Sequence, residues 1–250
     1  MPLVLKDVSK CFEDAGQSTL NHIDLEIHDG EFLCIVGKSG CGKSTLLNLV
    51  AGLEQPTQGE ILLNGQKVTG PGADRVVMFQ EHALFPWRNV IENVRFGMEI
   101  AGIPKEEQEE KAMYYLRMMQ LEKYRDYPIG RLSGGMRQRV ALARALTLDS
   151  KLLLMDEPFS ALDKQTSNRL RRELQDIWMN MEKTILFVTH SVEEAVYLGD
   201  RVVVMSDETG TVKDIIEIGL KRPRYVYDEE FVQYRRRILC EVQGEEEVWK

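Results

Sequence analysis

The stretch GKSGCGKST, residues 37–45, constrains this chain more than any other. It follows the apolar run FLCIV (32–36) and opens a helix-like run, LLNLVAG, that stops at Gly52. Strand, glycine loop and helix are the context that the phosphate-loop pattern G-x-x-x-x-G-K-[ST] requires. Gly37, Gly40 and Gly42 carry no Cβ, so the backbone can curl around an anion with successive N–H groups pointing inward. The N-terminus of the following helix adds a dipole favourable to phosphate. Lys38, Ser39, Cys41 and Thr45 complete the loop. Lys43 is placed to reach the outer phosphates of a nucleoside triphosphate, and the Ser44 hydroxyl to ligate Mg²⁺.

Around this loop the pattern is that of an α/β protein. LVLKDV (3–8) reads as an edge strand and DLEIH (24–28) as a second, followed by a turn at His28-Asp29-Gly30-Glu31. EILLNGQKV reads as a hairpin around Asn64-Gly65. RVVMFQ (75–80) reads as a buried strand ending in Gln80. After residue 81 strand alternation stops. Ala112, Tyr115, Leu116 and Met119 then fall on one face of a helix over 106–121, and a second helix starts at the N-cap candidate Ser133. Strands return with KLLLMDE (151–157), TILFVTH (184–190) and RVVVMS (201–206). Between the first two lies a long helix with Leu170, Leu174, Ile177, Trp178 and Met181 on one stripe. Ser191 and Glu194 read as a capping box for a short helix stopped by Gly199. The last 35 residues read as a small appended hairpin and helix. The expected organisation is one domain over 1–250. Its core spans about 1–84 and 151–215, with a helical insertion over 85–150 and a tail over 216–250.

Composition excludes several classes. At 43% apolar and 29% charged residues the chain is globular rather than disordered. A net charge of −8 argues against a sequence-independent nucleic-acid binder, so no nucleic-acid partner is expected. No apolar run is long enough to span a bilayer, and MPLVLKDVSK lacks the architecture of a signal peptide. Cys11, Cys34, Cys41 and Cys240 are scattered without pair spacing and read as reduced thiols.

Two further stretches carry chemistry. LLLM followed by Asp156-Glu157 places acids at the carboxyl end of a parallel strand expected beside the phosphate-loop strand. Asp156 is then a candidate to hold Mg²⁺, and Glu157 to polarise an attacking water; an acidic strand end facing solvent gives the same pattern. LSGGMRQRVALARA (132–145) puts Ser133-Gly134-Gly135 at a helix start, a second anion-binding terminus. It reads either as an ordinary N-cap with glycines for close packing, or as a contact to nucleotide held by another copy of the chain.

In this order, GKSGCGKST, Gln80, LSGGMRQR, LLLMDEP, SALD (160–163) and His190 resemble the ATP-binding cassette (ABC) ATPases along nearly the whole chain. The resemblance implies a P-loop NTPase (RecA-like) core with an N-terminal antiparallel β subdomain and an inserted α-helical subdomain. It implies ATP and Mg²⁺ as ligands. It also implies a head-to-tail dimer in which each ATP lies between the phosphate loop of one copy and the LSGG loop of the other. On that resemblance Phe12 stacks on adenine, and residues 37–45 hold the phosphates. Gln80 meets the metal and the attacking water, Glu157 is the general base, and His190 contacts the γ-phosphate. Ser133, Gly134, Gly135 and Asp163 act across the dimer. His22, His28 and His82 match no family position.

EHALFPWRNVIENVRFG after Gln80 and RPRYVYDEEFVQYRRRIL near the end are similar to the nitrate and sulfonate/taurine importers of that family. This implies transmembrane permease subunits as partners, an extracytoplasmic solute-binding protein, and a peripheral position on the cytoplasmic side of the membrane. Phe85 and Trp87 are candidates either for contact with the permease or for burial among the helices. The rival readings are the ATPase of an exporter or lipoprotein-release complex, a non-transport ABC ATPase, and a cassette that only binds nucleotide.

Overall fold

The computed structural model describes residues 3–12, 18–80, 83–160, 162–180, 183–206 and 210–243. The strands in chain order are β1 (Leu3–Cys11), β2 (Ser18–Ile27), β3 (Phe32–Val36), β4 (Gln58–Leu63), β5 (Gln66–Lys67), β6 (Arg75–Met78), β7 (Leu152–Asp156), β8 (Thr184–Val188), β9 (Arg201–Met205) and β10 (Val212–Glu217). The helices are α1 (Lys43–Ala51), α2 (Val90–Ile100), α3 (Lys105–Met118), α4 (Gly134–Leu146), α5 (Lys164–Met179), α6 (Val192–Leu198) and α7 (Glu229–Gln243).

The main sheet has the order β10-β9-β3-β8-β7-β6, parallel except for β10. FLCIV is apolar throughout because β3 is covered on both faces, as buried parallel strands are. Phe32, Cys34 and Val36 face a core built with helices α2 to α7. Leu33 and Ile35 face a second core shared with α1 and the antiparallel sheet β2-β1-β4-β5. Helices α2, α3 and α4 pack on one another, and α4 also reaches β6 and α5.

The structure corrects four expectations. First, β1 is not an edge strand: it pairs antiparallel with β2 on one side and β4 on the other. Alternation reports that one face is buried, which holds for edge and interior strands alike. Second, β8 separates β7 from β3, so the acidic strand does not neighbour the phosphate-loop strand. Third, β6 ends at Met78, and Phe79 and Gln80 lie exposed beyond it. Fourth, the C-terminal hairpin is β9–β10, inside the main sheet, and after β10 the described tail holds only α7. The apolar stripe of α5 is buried at Leu170, Leu174 and Ile177; Met181, like His82, lies outside the described residues.

Candidate functional site

Strands β3, β7 and β8 run parallel, so their carboxyl ends open on one edge of the sheet. That edge is where ligands bind in open parallel sheets. The loop after β3 turns through Gly40 and Gly42, at φ 86° and 97°. Gly42 is required twice over, because a Cβ there would also lie 2.6 Å from Leu20 Cδ2. Lys43 is buried beneath the loop, and its Nζ donates to the carbonyls of Gly37 (2.9 Å) and Lys38 (2.8 Å). Cys41 Sγ lies 3.7 Å from the same nitrogen. Burial pushes the Cys41 thiol up although Lys43 pulls it down, so this cysteine fills space as a neutral thiol.

The strand order puts β8 between the two motifs, but the acids still arrive. Ser44 Oγ donates to Asp156 Oδ1 at 3.2 Å, joining the phosphate loop to the end of β7. Burial raises the Asp156 carboxyl and the adjacent Glu157 adds to it, against the pull of Ser44 and Lys43. Two hard oxygen donors side by side suit a small divalent cation.

Glu157 turns out of the strand at φ 42°, a left-handed conformation that a residue with a side chain adopts only under constraint. The constraint comes from both sides. Its amide donates to the Val188 carbonyl of β8 at 2.9 Å, and its carbonyl accepts from Ser160 Oγ at 2.9 Å. Its carboxylate meets His190 Nδ1 at 3.0 Å. Gln80 Nε2 donates to Ser160 Oγ at 3.3 Å, so Gln80 reaches the site through that serine. Ser160 is the site residue that motif spacing did not single out: it lies in the SALD segment, but its relay exists only once β6 and β7 are paired.

His190 is held by the turn that leads into α6. Ser191 caps α6 by accepting from the Glu194 amide. The expected capping box is incomplete, because the Glu194 carboxylate accepts instead from Thr189 Oγ1 at 2.6 Å.

The other expected contacts stand on different elements. Ser133 caps α4 by accepting from the Met136 amide, with Gly134 and Gly135 in the first turn. Helix α4 packs on α2 and α3, whereas α1 packs on the strands. Asp163 caps α5, and the Thr166 amide holds its carboxyl below the usual range. Phe12 follows β1, with Lys10 Nζ 4.8 Å from its ring centroid. One edge of the molecule therefore gathers the phosphate loop, Asp156, Glu157, His190, Ser160 and Gln80. Ser133 and Asp163 begin two further helices.

The chain is similar to known proteins in sequence and in fold. Residues 20–160 match the family described as "ABC transporter". An uncharacterized ABC transporter ATP-binding protein of Methanocaldococcus jannaschii is 52% identical over 95% of this chain and 90% of its own. The nitrate import ATP-binding protein NrtD of Synechocystis is 48% identical over 88% of this chain and 84% of its own. The bicarbonate transport ATP-binding protein CmpD of Synechocystis is 41% identical, over 89% and 80%. Among solved structures, a dimeric bacterial ABC transporter cassette superposes with a TM-score of 0.78 at 31% identity, covering 88% of this chain and all of that one. A post-hydrolysis dimer of the same cassette, bound to ADP and Pi, gives a TM-score of 0.77 at 30% identity, again over 88% of this chain and all of that one. With sequence and architecture matching along most of its length, this chain belongs to the ABC transporter family of ATP-binding cassettes.

Proposed function

We propose that this chain is the ATP-hydrolysing subunit of an importer for a small solute of the nitrate, sulfonate and taurine class. In this reading it works as a head-to-tail dimer on permease subunits at the cytoplasmic face of the membrane and is served by an extracytoplasmic solute-binding protein. Relatives named for nitrate import and for bicarbonate transport support a small-anion solute. The dimeric cassettes support the assembly.

The observation that carries the reading is the convergence of Lys43, Ser44, Asp156, Glu157 and His190 at one sheet edge. Residues 37–45 wrap the phosphates with backbone N–H groups, and Lys43 leaves its loop carbonyls for phosphate oxygens. Ser44, Asp156 and Gln80 would hold Mg²⁺, which supplies charge neutralisation of the phosphates when bound. Glu157 directs a water and takes its proton, while His190 orients the carboxylate and contacts the transferred phosphoryl group. Phe12 stacks on the adenine. Ser133, Gly134, Gly135 and Asp163 complete the partner copy's site. Segment 85–150 serves as the helical unit that faces the permease.

Glu157→Gln tests the reading. The variant keeps the size of the side chain and removes the base. ATP binding is expected to persist, turnover to fall at least about 100-fold, and an ATP-bound dimer to accumulate in size-exclusion chromatography with light scattering. Undiminished hydrolysis would overturn the assignment of the base.

A further inference from the structure

Helix α5 carries two buried stripes. Its apolar stripe, Leu170, Leu174 and Ile177, belongs to the main core. Its second stripe is polar: Ser167, Arg171 and Gln175, spaced i, i+4, i+8, are 8%, 5% and 2% exposed. Each of the three meets α6. Ser167 Oγ donates to Glu194 Oε1 at 3.4 Å. Arg171 donates to Glu193 Oε1 at 3.1 Å and lies over the Tyr197 ring at 5.4 Å. Gln175 Nε2 donates to the Tyr197 carbonyl at 3.0 Å. Arg171 also donates to Asn168 one turn back. From the tail, Arg235 of α7 reaches Glu193 at 3.7 Å.

A buried ionic and polar contact of this kind adds little net stability over an apolar one, but it fixes register. Apolar faces slide; paired donors and acceptors do not without exposing unpaired groups. What the zipper fixes is set by where the helices start. Asp163 is the N-cap of α5, and His190 directly precedes Ser191, the N-cap of α6. The first zipper contact, Glu194, also holds Thr189, the residue before His190.

We propose that this polar zipper is a coupling element. It makes the Asp163 and His190 segments move as one body, so closure of one nucleotide site in the dimer is transmitted to the other. The proposal rests on the function above, in which His190 serves its own copy's ATP and Asp163 the partner's. Ser167, Arg171, Gln175 and Glu193 are positioning residues in it and touch no substrate.

Coupling between two equivalent sites is read as cooperativity, with a Hill coefficient between one and two. The experiment measures ATPase rate against ATP concentration for the full-length protein, with Arg171→Met, Arg171→Lys and Glu193→Gln. Wild type is expected to be cooperative. In Arg171→Met and Glu193→Gln the Hill coefficient is expected to fall to about one, with the affinity for a fluorescent ATP analogue unchanged. Arg171→Lys, which keeps the charge but not the fork, is expected to fall between. Glu193→Gln keeps the shape of a side chain that is only partly buried and covers the case in which Arg171→Met fails to fold. A non-cooperative wild type, or variants as cooperative as wild type, would overturn the zipper while leaving ATPase function standing. Absence of ATP hydrolysis in wild type would instead overturn the function itself.

Discussion

Asp156 and Glu157 are adjacent in sequence, yet the structure gives them different environments. Burial and the neighbouring Glu157 charge make ionised Asp156 costly. An acid whose folded-state pKa is raised binds its proton more tightly when folded. Its ionisation penalty is absent below the ordinary value of 3.8 and grows as pH rises through the raised value. Asp156→Asn escapes that penalty. In EDTA at neutral pH it is expected to melt about 1–4 °C above wild type, with the gain vanishing near pH 3.5 or below. Mg²⁺-ATP is expected to raise the wild-type Tm and not that of the variant. A variant that melts lower at neutral pH would contradict the electrostatic account. The two signature glycines separate in the same way. A Cβ on Gly135 would lie 2.7 Å from Thr166 Cγ2, whereas one on Gly134 meets nothing within 4 Å. Gly135→Ala is expected to cost about 1–3 kcal/mol in urea unfolding. Gly134→Ala is expected to be neutral or to gain up to about 1 kcal/mol and still weaken ATP-dependent dimerisation, because its new methyl group points at open space. Residue identities at this site were legible because phosphate chemistry demands particular side chains at fixed spacing. Ser160 was not, because its relay from Gln80 to Glu157 depends on which strands lie side by side.

Elements were legible where periodicity is strong, and their neighbours were not. The apolar runs at 32–36, 152–155 and 184–188 each became a strand buried on both faces. Their order, with β8 between β3 and β7, is set by how helices cover the sheet, and no local pattern records it. The basic-aromatic tail shows the same limit. As sequence, RPR is two charges around a proline and carries no sign of burial. In the fold Arg224 is 4% exposed and donates to the carbonyls of Val196 and Gly199, both at 2.7 Å, and of Leu220 at 3.1 Å. It closes the C-terminus of α6, which carries unpaired carbonyls by construction. Burial, with Arg222 adding to it, lowers its pKa to about 10, and it remains charged at neutral pH. Beside it, Arg222 pairs with Asp200 at 2.7 Å and stacks over Trp178 at 4.5 Å. Arg224→Lys is expected to cost about 2–4 kcal/mol, since one ammonium cannot serve carbonyls on three sides of a fork. Urea unfolding measures it, and a loss below about 0.5 kcal/mol would show that the cap is dispensable.

At the scale of the whole molecule, the proposed function makes the phosphate loop one jaw of a site. The other jaw in that proposal starts α4, which packs on α2 and α3, whereas α1 packs on the strands. In the proposed function the second jaw comes from another copy, and the work then leaves through a surface that neither jaw uses. The segment after Gln80 is the candidate for such a surface. Asn89 and Glu92 form a full capping box that starts α2, and the α2 amides of Val90 and Ile91 donate to the carbonyls of Tyr127 and Arg125. On this frame the structure divides the aromatic pair left open by the sequence. Phe85 is half-buried, its ring centroid 4.4 Å from Phe96 and its face under Arg144. Trp87 leans on Phe85 at 5.4 Å yet is 77% exposed. Phe85 is thus a footing and Trp87 the projecting ring, the kind of residue that dominates interface energies once a partner covers it. Trp87→Ala removes no core contact, so the isolated chain is expected to keep its Tm and its ATPase rate. Association with the permease is expected to weaken at least about tenfold, a loss of about 1.4 kcal/mol, with solute uptake falling in parallel. Phe85→Ala should instead lower Tm, because it empties a packed site. Equal effects of the two variants on Tm would place Trp87 inside the fold's own packing. A Trp87→Ala transporter with unchanged association and uptake would move the permease contact to another face.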